Sequence, residues 1–210
     1  VLGSVQKAET EIAQKITPRP YLPMEGATDY RTAVQELLWG ADHDALKAGR
    51  ITTIQTLGGS GALKVGADFL HRYFPQSEVW VSDPTWDNHH AIFQGAGINT
   101  HTYPYYDETT GGVRFADMLE TFRQLPLKSI ILMHPCCHNP TGVDLSRAQW
   151  EELLPVITER ELIPFLDIAY QGFGDSIVED TFAVRMLTDA KISFFVSNSF
   201  SKNLSLYSER

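Results

Sequence analysis

The sequence predicts an α/β fold, a three-layer sandwich whose central sheet is mixed but mostly parallel. From Ile51 onward, short apolar runs alternate with amphipathic segments of helix length, which is the pattern of a βαβ series. Runs such as 130–133 and 192–196 are apolar on both faces, as strands covered on two sides must be. A ligand is then expected in the loops beyond the carboxyl ends of the strands.

The N-terminal part is predicted to be helical and then irregular. Apolar residues recur at helical spacing over residues 5–16, so an amphipathic helix is expected to end before Pro18. Residues 18–27 are too rich in proline for regular structure, and they hold Tyr21 on a stiff segment. A second helix is predicted over residues 29–39.

Strands and helices alternate through the rest of the chain. The helix near residue 146 has the most specific start, because Ser146 and Gln149 form a capping box ahead of an apolar stripe. The predicted strands lie near 51–57, 78–82, 98–103, 129–134, 163–168 and 192–197, and the predicted helices near 60–74, 87–95, 115–125, 146–160 and 180–190.

Composition and charge exclude several classes of partner. The 210 residues carry a formal charge of -9 and no basic run, which argues against nucleic acid and against an anionic membrane surface. No stretch approaches the roughly 18 apolar residues of a membrane helix. Cys136 and Cys137 are adjacent, so an ordinary disulfide between them would be strained, and a reduced, cytoplasmic setting is expected.

The last loop combines an amine with groups that suit a phosphate. Lys202 follows the apolar run 192–196 and is flanked by Ser199 and Ser201, with Arg210 eight positions further on. A lysine in such a place supplies an amine for a Schiff base, and the hydroxyl groups and the arginine suit a phosphate. Pyridoxal phosphate needs both. A solvated loop lysine is the alternative interpretation.

A glycine-rich turn precedes the first helix of the series. Gly58, Gly59 and Ser60 let backbone amides approach an anion, and the helix start adds a positive end. That end carries about half an elementary charge, so Arg210 is needed to balance a phosphate monoester. A nucleotide-binding domain, with Asp83 as the ribose partner, is an alternative that leaves Lys202 unexplained.

Further strand ends carry a carboxylate, a phenol, an amide and an indole. Asp167 ends an apolar strand, where it is either a structural carboxylate or a partner for a protonated pyridine nitrogen, and Tyr170 follows three residues later. Asn139 can donate to a ligand oxygen. Trp86 either packs or stacks on a heteroaromatic ring, with His89 behind it.

Histidines and cysteines at 134–138 invite comparison with a zinc site. The two cysteines are adjacent, however, and therefore lack the spacing of a zinc-binding pair, and the sequence has no other cysteine. No metal is expected.

Taken together, these motifs resemble the fold-type I, class I aminotransferases, in the subgroup that acts on aspartate and aromatic amino acids. The run Cys136-Cys137-His138-Asn139-Pro140-Thr141-Gly142 is specific to that subgroup. The other matching segments are 58–62, 83–89, 167–173 and 199–210.

The resemblance implies a role for each site residue. Lys202 would form the Schiff base with pyridoxal 5'-phosphate and then move the proton, Asp167 would pair with the pyridinium, and Tyr170 would bond the phenolic oxygen. Tyr21 would reach the phosphate in the neighbouring subunit of a homodimer. The remaining cofactor contacts would be Gly58, Gly59, Ser60, Trp86, Asn139, Ser199, Ser201 and Arg210, with His89 and His134 in support.

The resemblance also sets expectations about domains and substrates. Residues 1–210 would form a pyridoxal-phosphate-binding large domain that is incomplete at both ends, with the small domain and the substrate-carboxylate arginines outside them. The sequence of residues 102–108 and 198–202 is more similar to bacterial tyrosine aminotransferases than to aspartate aminotransferases. The expected reaction is ping-pong transfer of the amino group of tyrosine, phenylalanine or aspartate to 2-oxoglutarate. A cofactor-binding module without turnover is the alternative.

Overall fold

The protein alternates helices and strands along most of its length. The structure is a computed structural model that describes residues 2–18 and 20–207. Its strands are Val79–Asp83 (β1), Thr100–Pro104 (β2), Tyr106–Asp107 (β3), Gly112–Val113 (β4), Ile130–Met133 (β5), Ile163–Ile168 (β6) and Phe195–Asn198 (β7). Its helices are Gly3–Gln14 (α1), Thr28–Trp39 (α2), Asp44–Lys47 (α3), Gly58–Tyr73 (α4), Asn88–Gly95 (α5), Phe115–Gln124 (α6), Arg147–Glu159 (α7) and Phe182–Asp189 (α8), with a 3-10 turn at Glu179–Thr181.

The central sheet has five parallel strands in the order β2-β1-β5-β6-β7. A separate antiparallel pair, β3 and β4, forms a short hairpin that the sequence pattern did not predict. From β1 the chain moves outward to β2 and then returns to the other side of β1 with β5. The order therefore reverses between β1 and β5, and this is the position where open α/β sheets bind ligands.

Two apolar cores cover the two faces of the sheet. Side chains alternate along β5, so that Ile131 and Met133 join the core formed with α2, α6, α7 and α8. Ile130 and Leu132 join the core formed with α4 and α5. Every residue of β5 and β6 is buried, as expected for parallel strands with helices on both sides. The predicted three-layer α/β fold is confirmed.

The predicted capping box is present at the start of α7. Ser146 Oγ accepts a hydrogen bond from the Gln149 backbone N–H at 3.3 Å, and the Ser146 N–H donates to Gln149 Oε1 at 2.8 Å. The two bonds satisfy donors that a helix start leaves without a partner. The predicted helix start at residue 146 is confirmed.

The strand predicted at 51–57 is wrong. Residues 51–57 form no strand within the described part of the chain: Gln35 Nε2 donates to the Ile51 carbonyl and to Thr53 Oγ1, and the Gln55 N–H donates to the Glu25 carbonyl. A cavity of about 900 Å³ is lined by this segment and by β7. Helix α4 begins at Gly58, so the glycine-rich turn is the first turn of the helix and does not precede it.

Helix α4 packs very closely on the sheet at Gly66. A Cβ atom built on Gly66 would lie 2.5 Å from Cζ of Phe165 in β6, which is closer than any real contact. Only a glycine therefore permits this separation of helix and sheet.

None of the described helices is long and apolar enough to cross a lipid bilayer.

Candidate functional site

The carboxyl ends of the parallel strands bring the predicted site residues to one edge of the sheet. Asp83 ends β1 and leads to Trp86, and β5 leads to His134 and Asn139. Asp167 lies in β6 one residue before its end, and its register partner in β7 is Ser197. Four strand ends therefore place these residues along one edge of the sheet, around the point where the strand order reverses.

A buried carboxylate and a buried imidazole are paired at this edge of the sheet. Asp167 is 5% exposed and His89 is fully buried. His89 Nε2 lies 3.1 Å from Asp167 Oδ2, and His89 Nδ1 lies 2.7 Å from Thr85 Oγ1. Because a carboxylate only accepts hydrogen bonds, Nε2 must carry the proton. The pairing predicted between Asp167 and a supporting histidine is thus present, with Thr85 fixing the other ring nitrogen.

Two further histidines extend this pair into the protein. The ring centroids of His89 and His134 are 5.3 Å apart, and those of His134 and His138 are 4.6 Å apart. His138 stacks on Tyr105 with a centroid separation of 4.0 Å, and its two nitrogens lie 2.8 Å from the hydroxyl oxygens of Ser82 and Thr141. His134 Nδ1 is buried and has no hydrogen-bond partner within the described part of the chain.

Burial keeps the two inner histidines neutral. Burial lowers the pKa of His134 to about 4, with nearby His89 lowering it further and Asp167 opposing the change. Burial, together with His134 and His89, lowers the pKa of His138 to about 3. His138 can therefore orient its neighbours by hydrogen bonding, and neither imidazole adds positive charge beside Asp167 at neutral pH.

The histidine pair makes an acid dependence of stability expected. Both groups have an ordinary pKa of 6.5, so below that pH the unfolded chain binds protons that the folded chain refuses, and stability falls as the pH drops toward the folded pKa values. Each histidine is expected to reduce the free energy of unfolding by about 1.4 kcal/mol per pH unit in that window. Urea unfolding followed between pH 7 and about pH 4 measures this slope.

The matched variants for this slope are H138Q and H71Q. His71 is exposed on α4, so H71Q should retain the slope of the parent. H138Q should show a shallower slope, by about one proton, since glutamine has no group that titrates in this range. An H138Q slope equal to that of the parent would contradict the assignment of a depressed His138 pKa.

Lys202 and Tyr170 approach one another across two loops. Lys202 Nζ lies 5.2 Å from the centroid of the Tyr170 ring, which is within the range of a cation–π contact. Lys202 is half-buried, in the turn that follows β7, and Tyr170 follows β6. The amine and the phenol therefore lie together at the same edge of the sheet as Asp167.

The start of α4 meets the loop after β7 at close range. A Cβ atom built on Gly59 would lie 3.3 Å from Cβ of Ser199, and Ser197 Oγ donates a hydrogen bond of 3.1 Å to the Gly59 carbonyl. Ser199 Oγ donates to Ser201 Oγ at 3.2 Å. The positive end of a helix and two hydroxyl groups thus lie together, which is an arrangement suited to an anion.

The other predicted residues lie at different distances from this centre. Trp86 packs its ring edge-on to His89 at 5.3 Å. Asn139 lies in the loop after β5, in a cis peptide bond to Pro140. Gly58 and Ser60 lie in the first turn of α4. Tyr21 is fully exposed on an irregular segment. Arg210 lies outside the described residues.

Three of the buried groups could also hold a metal ion. One ligand atom from each of His89, His134 and Asp167 lies within 4.8 Å of the others. Two of these atoms are joined by the hydrogen bond between His89 and Asp167. Cys136 and Cys137 are free thiols outside this group.

Several residues that organise the site carry no motif of their own. Asp144 holds the loop after β5, because its carboxylate accepts hydrogen bonds from the backbone N–H groups of Cys137 and His138 at 2.6 and 2.8 Å. Asp180 similarly holds the loop after β6. Each of these acids lies well beyond the end of the strand before it, at Met133 and Ile168, so no strand-end pattern in the sequence marks either of them.

Comparison with known proteins identifies what this arrangement resembles. A family model described as aminotransferase class I and II matches residues 1–210. The chain is 60% identical to the aromatic-amino-acid aminotransferase of Escherichia coli strain K12, over 100% of this chain and 53% of that protein. It is 50% identical to the aspartate aminotransferase of Pseudomonas aeruginosa, over 100% of this chain and 53% of that protein.

A solved structure matches the fold equally well. The aromatic-amino-acid aminotransferase of Burkholderia pseudomallei, covalently bound to pyridoxal phosphate, superposes with a TM-score of 0.98 at 50% identity. The match covers 100% of this chain and 52% of that one. The chain therefore spans about half the length of the relatives that it matches.

Proposed function

We propose that this chain, which belongs to the aminotransferase class I and II family, is the cofactor-binding part of a pyridoxal-phosphate-dependent aminotransferase. The observation that carries the proposal is that the contact between Lys202 and Tyr170 and the pair formed by Asp167 and His89 lie at the carboxyl ends of neighbouring parallel strands. These groups come from separate strand ends, and their relation is visible only in the folded chain.

The residues present fit the proposed cofactor at both of its ends. The start of α4, with Ser199 and Ser201 beside it, offers backbone N–H groups and hydroxyl groups to a phosphate. Asp167 offers a carboxylate that is held by His89, whose ring in turn packs against Trp86. The set includes an amine, an anion cradle and a buried acid, which together match a phosphorylated pyridine aldehyde.

The chemistry divides between the cofactor and the chain. When bound, pyridoxal phosphate supplies an electron-withdrawing ring that stabilises negative charge on the α-carbon of an amino acid. Lys202 would provide the covalent attachment and then accept and return the proton of that carbon. Asp167 would hold a proton on the ring nitrogen, with His89 fixing the carboxylate. Tyr170 and Asn139 would donate hydrogen bonds to the ring oxygen.

The substrates proposed are aromatic L-amino acids and aspartate as amino donors and 2-oxoglutarate as the acceptor. The relatives that match carry the names of aromatic-amino-acid and aspartate aminotransferases, and the identity is higher to the aromatic enzyme, at 60% against 50%. We therefore place aromatic donors first. Because the chain spans about half of those proteins, we assign turnover to a protein of their length and cofactor binding to residues 1–210.

We propose a second copy of the chain as the protein partner, and a cytoplasmic location. Large apolar side chains are exposed near the N-terminus: Ile16, Tyr21 and Met24 are each fully exposed, and Ile12 is 65% exposed. Such a concentration of apolar surface is typical of an interface. Tyr21 would then reach the phosphate site of the neighbouring subunit. The free thiols of Cys136 and Cys137 support a reducing compartment.

The first test is an absorption titration of the 210-residue chain with pyridoxal phosphate, followed by borohydride reduction and mass mapping. The proposal expects a saturable visible band and a reduced label on Lys202. Label scattered over exposed lysines would mean that the chain has no specific site. Sedimentation with and without the cofactor shows whether binding accompanies dimerisation.

A further inference from the structure

Gln171 joins the two loops that carry Tyr170 and Lys202. Its side chain is 1% exposed, and its Nε2 donates to the carbonyls of Leu37 and Ile177 at 3.3 and 2.9 Å. Its Oε1 lies 3.5 Å from Asn198 Nδ2, and its backbone carbonyl accepts from Asn203 Nδ2 at 3.3 Å. Gln171 thus contacts helix α2, its own loop and the loop after β7.

The two asparagines lie on either side of Lys202. Asn198 ends β7 and Asn203 directly follows the lysine, so the segment between them is tied to Gln171 at both ends. The Oδ1 atoms of both asparagines are buried and have no hydrogen-bond partner among residues 2–18 and 20–207. The bonds from their Nδ2 atoms to Gln171 are therefore what orients these two amides.

The loop that carries Gln171 is itself held firmly. The Asp180 carboxylate accepts hydrogen bonds from the N–H groups of Gly172, Gly174, Asp175 and Ser176 at 2.7, 3.0, 2.8 and 3.3 Å. A Cβ atom built on Gly174 would lie 2.7 Å from Asp180 Oδ1. The loop after β6 is therefore a fixed point to which the loop after β7 is attached.

We propose that Gln171 is a positioning residue that sets where the Lys202 amine lies relative to Tyr170. Tyr170 immediately precedes Gln171, so the residue that accepts from the two asparagines, through its side-chain oxygen and its backbone carbonyl, is joined directly to the one whose ring lies 5.2 Å from Lys202 Nζ. The inference deepens the proposed function, because it concerns the residue to which the cofactor would attach. The lysine would be held by its neighbours before any ligand binds.

The test uses the chain without cofactor, so it does not depend on turnover. Amide hydrogen exchange over residues 199–206 reports how firmly the loop is held, and trace acetylation with acetic anhydride reports the environment of each lysine amine. Q171M removes the side-chain hydrogen bonds with little change of volume. N203A removes the other link from the opposite loop and leaves the contacts of Gln171 with α2 intact, so it serves if Q171M does not fold. Q124M, on the exposed face of α6, is the matched control.

Q171M and N203A are each expected to increase amide hydrogen exchange over residues 199–206 by about tenfold, as the loss of one or two net hydrogen bonds implies. Acetylation should change at Lys202 alone among the lysines, and exchange in β5 should equal that of Q124M. The proposal is overturned if a folded variant keeps loop exchange or Lys202 acetylation within about twofold of the parent. Failure of pyridoxal phosphate to label Lys202 in the parent would count against the proposed function alone.

Discussion

The K202A variant is expected to form no borohydride-stable adduct with pyridoxal phosphate at residue 202, because alanine has no amine. It should still bind the cofactor. Lys202 is the amine of the loop after β7, with its Nζ 5.2 Å from the Tyr170 ring centroid. The contacts offered by Ser199, Ser201 and the first turn of α4 do not depend on it. Affinity should fall by roughly 100-fold, since a bond formed within a bound complex gains from a high effective concentration.

Equilibrium dialysis gives this affinity, and mass mapping after reduction gives the label. K7A is the control, because Lys7 lies on α1 with a side chain that is 80% exposed. K7A should retain both the affinity and the label of the parent. A reduced adduct of unchanged yield in K202A would show that another lysine is the attachment site.

The second large effect is expected for D167N. The substitution keeps the shape of the side chain but removes the charge that His89 Nε2 contacts at 3.1 Å in an almost fully buried position. A hydrogen bond to a buried charged group contributes about 1.5–3 kcal/mol, so affinity for pyridoxal phosphate should fall by roughly 10- to 100-fold. The absorption spectrum of the bound cofactor should also change, because the ring nitrogen loses its negatively charged partner.

Asp175 provides the matched control for this substitution. It is an exposed acid of the loop after β6, and D175N changes the net charge of the protein by the same amount. Affinity and spectrum should match those of the parent in D175N. If D167N binds the cofactor as tightly as D175N does, with the same spectrum, then Asp167 has no role at the ring nitrogen.

The order of elements was predictable because parallel strands must be apolar throughout. The runs 130–133 and 163–168 are buried along their whole length, and no other element has that pattern over so few residues. The capping box at Ser146 was predictable because it is local, involving two residues three positions apart. Strand-end positions of Asp167 and Lys202 followed from the same boundaries.

Features that depend on distant partners were not predictable. Residues 51–57 have a strand-like pattern, yet the pattern does not say whether another strand lies beside them, and α2 takes their hydrogen bonds. The bond between Thr85 and His89 required the turn geometry after β1. The roles of Gln171 and Asp180 depended on which backbone groups the fold brings to them, and side chains of these types give no such signal in a sequence.

The close packing at Gly66 makes the spacing of helix and sheet part of the binding site. Helix α4 is a rigid rod of 16 residues, and Gly66 lies eight residues from Gly58, about 12 Å along the axis. A side chain at Gly66 would clash with Phe165 and tilt the helix. That tilt would move the first turn of α4 away from Ser199. Gly66 has no side-chain polar atom, yet its packing determines the position of the proposed anion site two turns away.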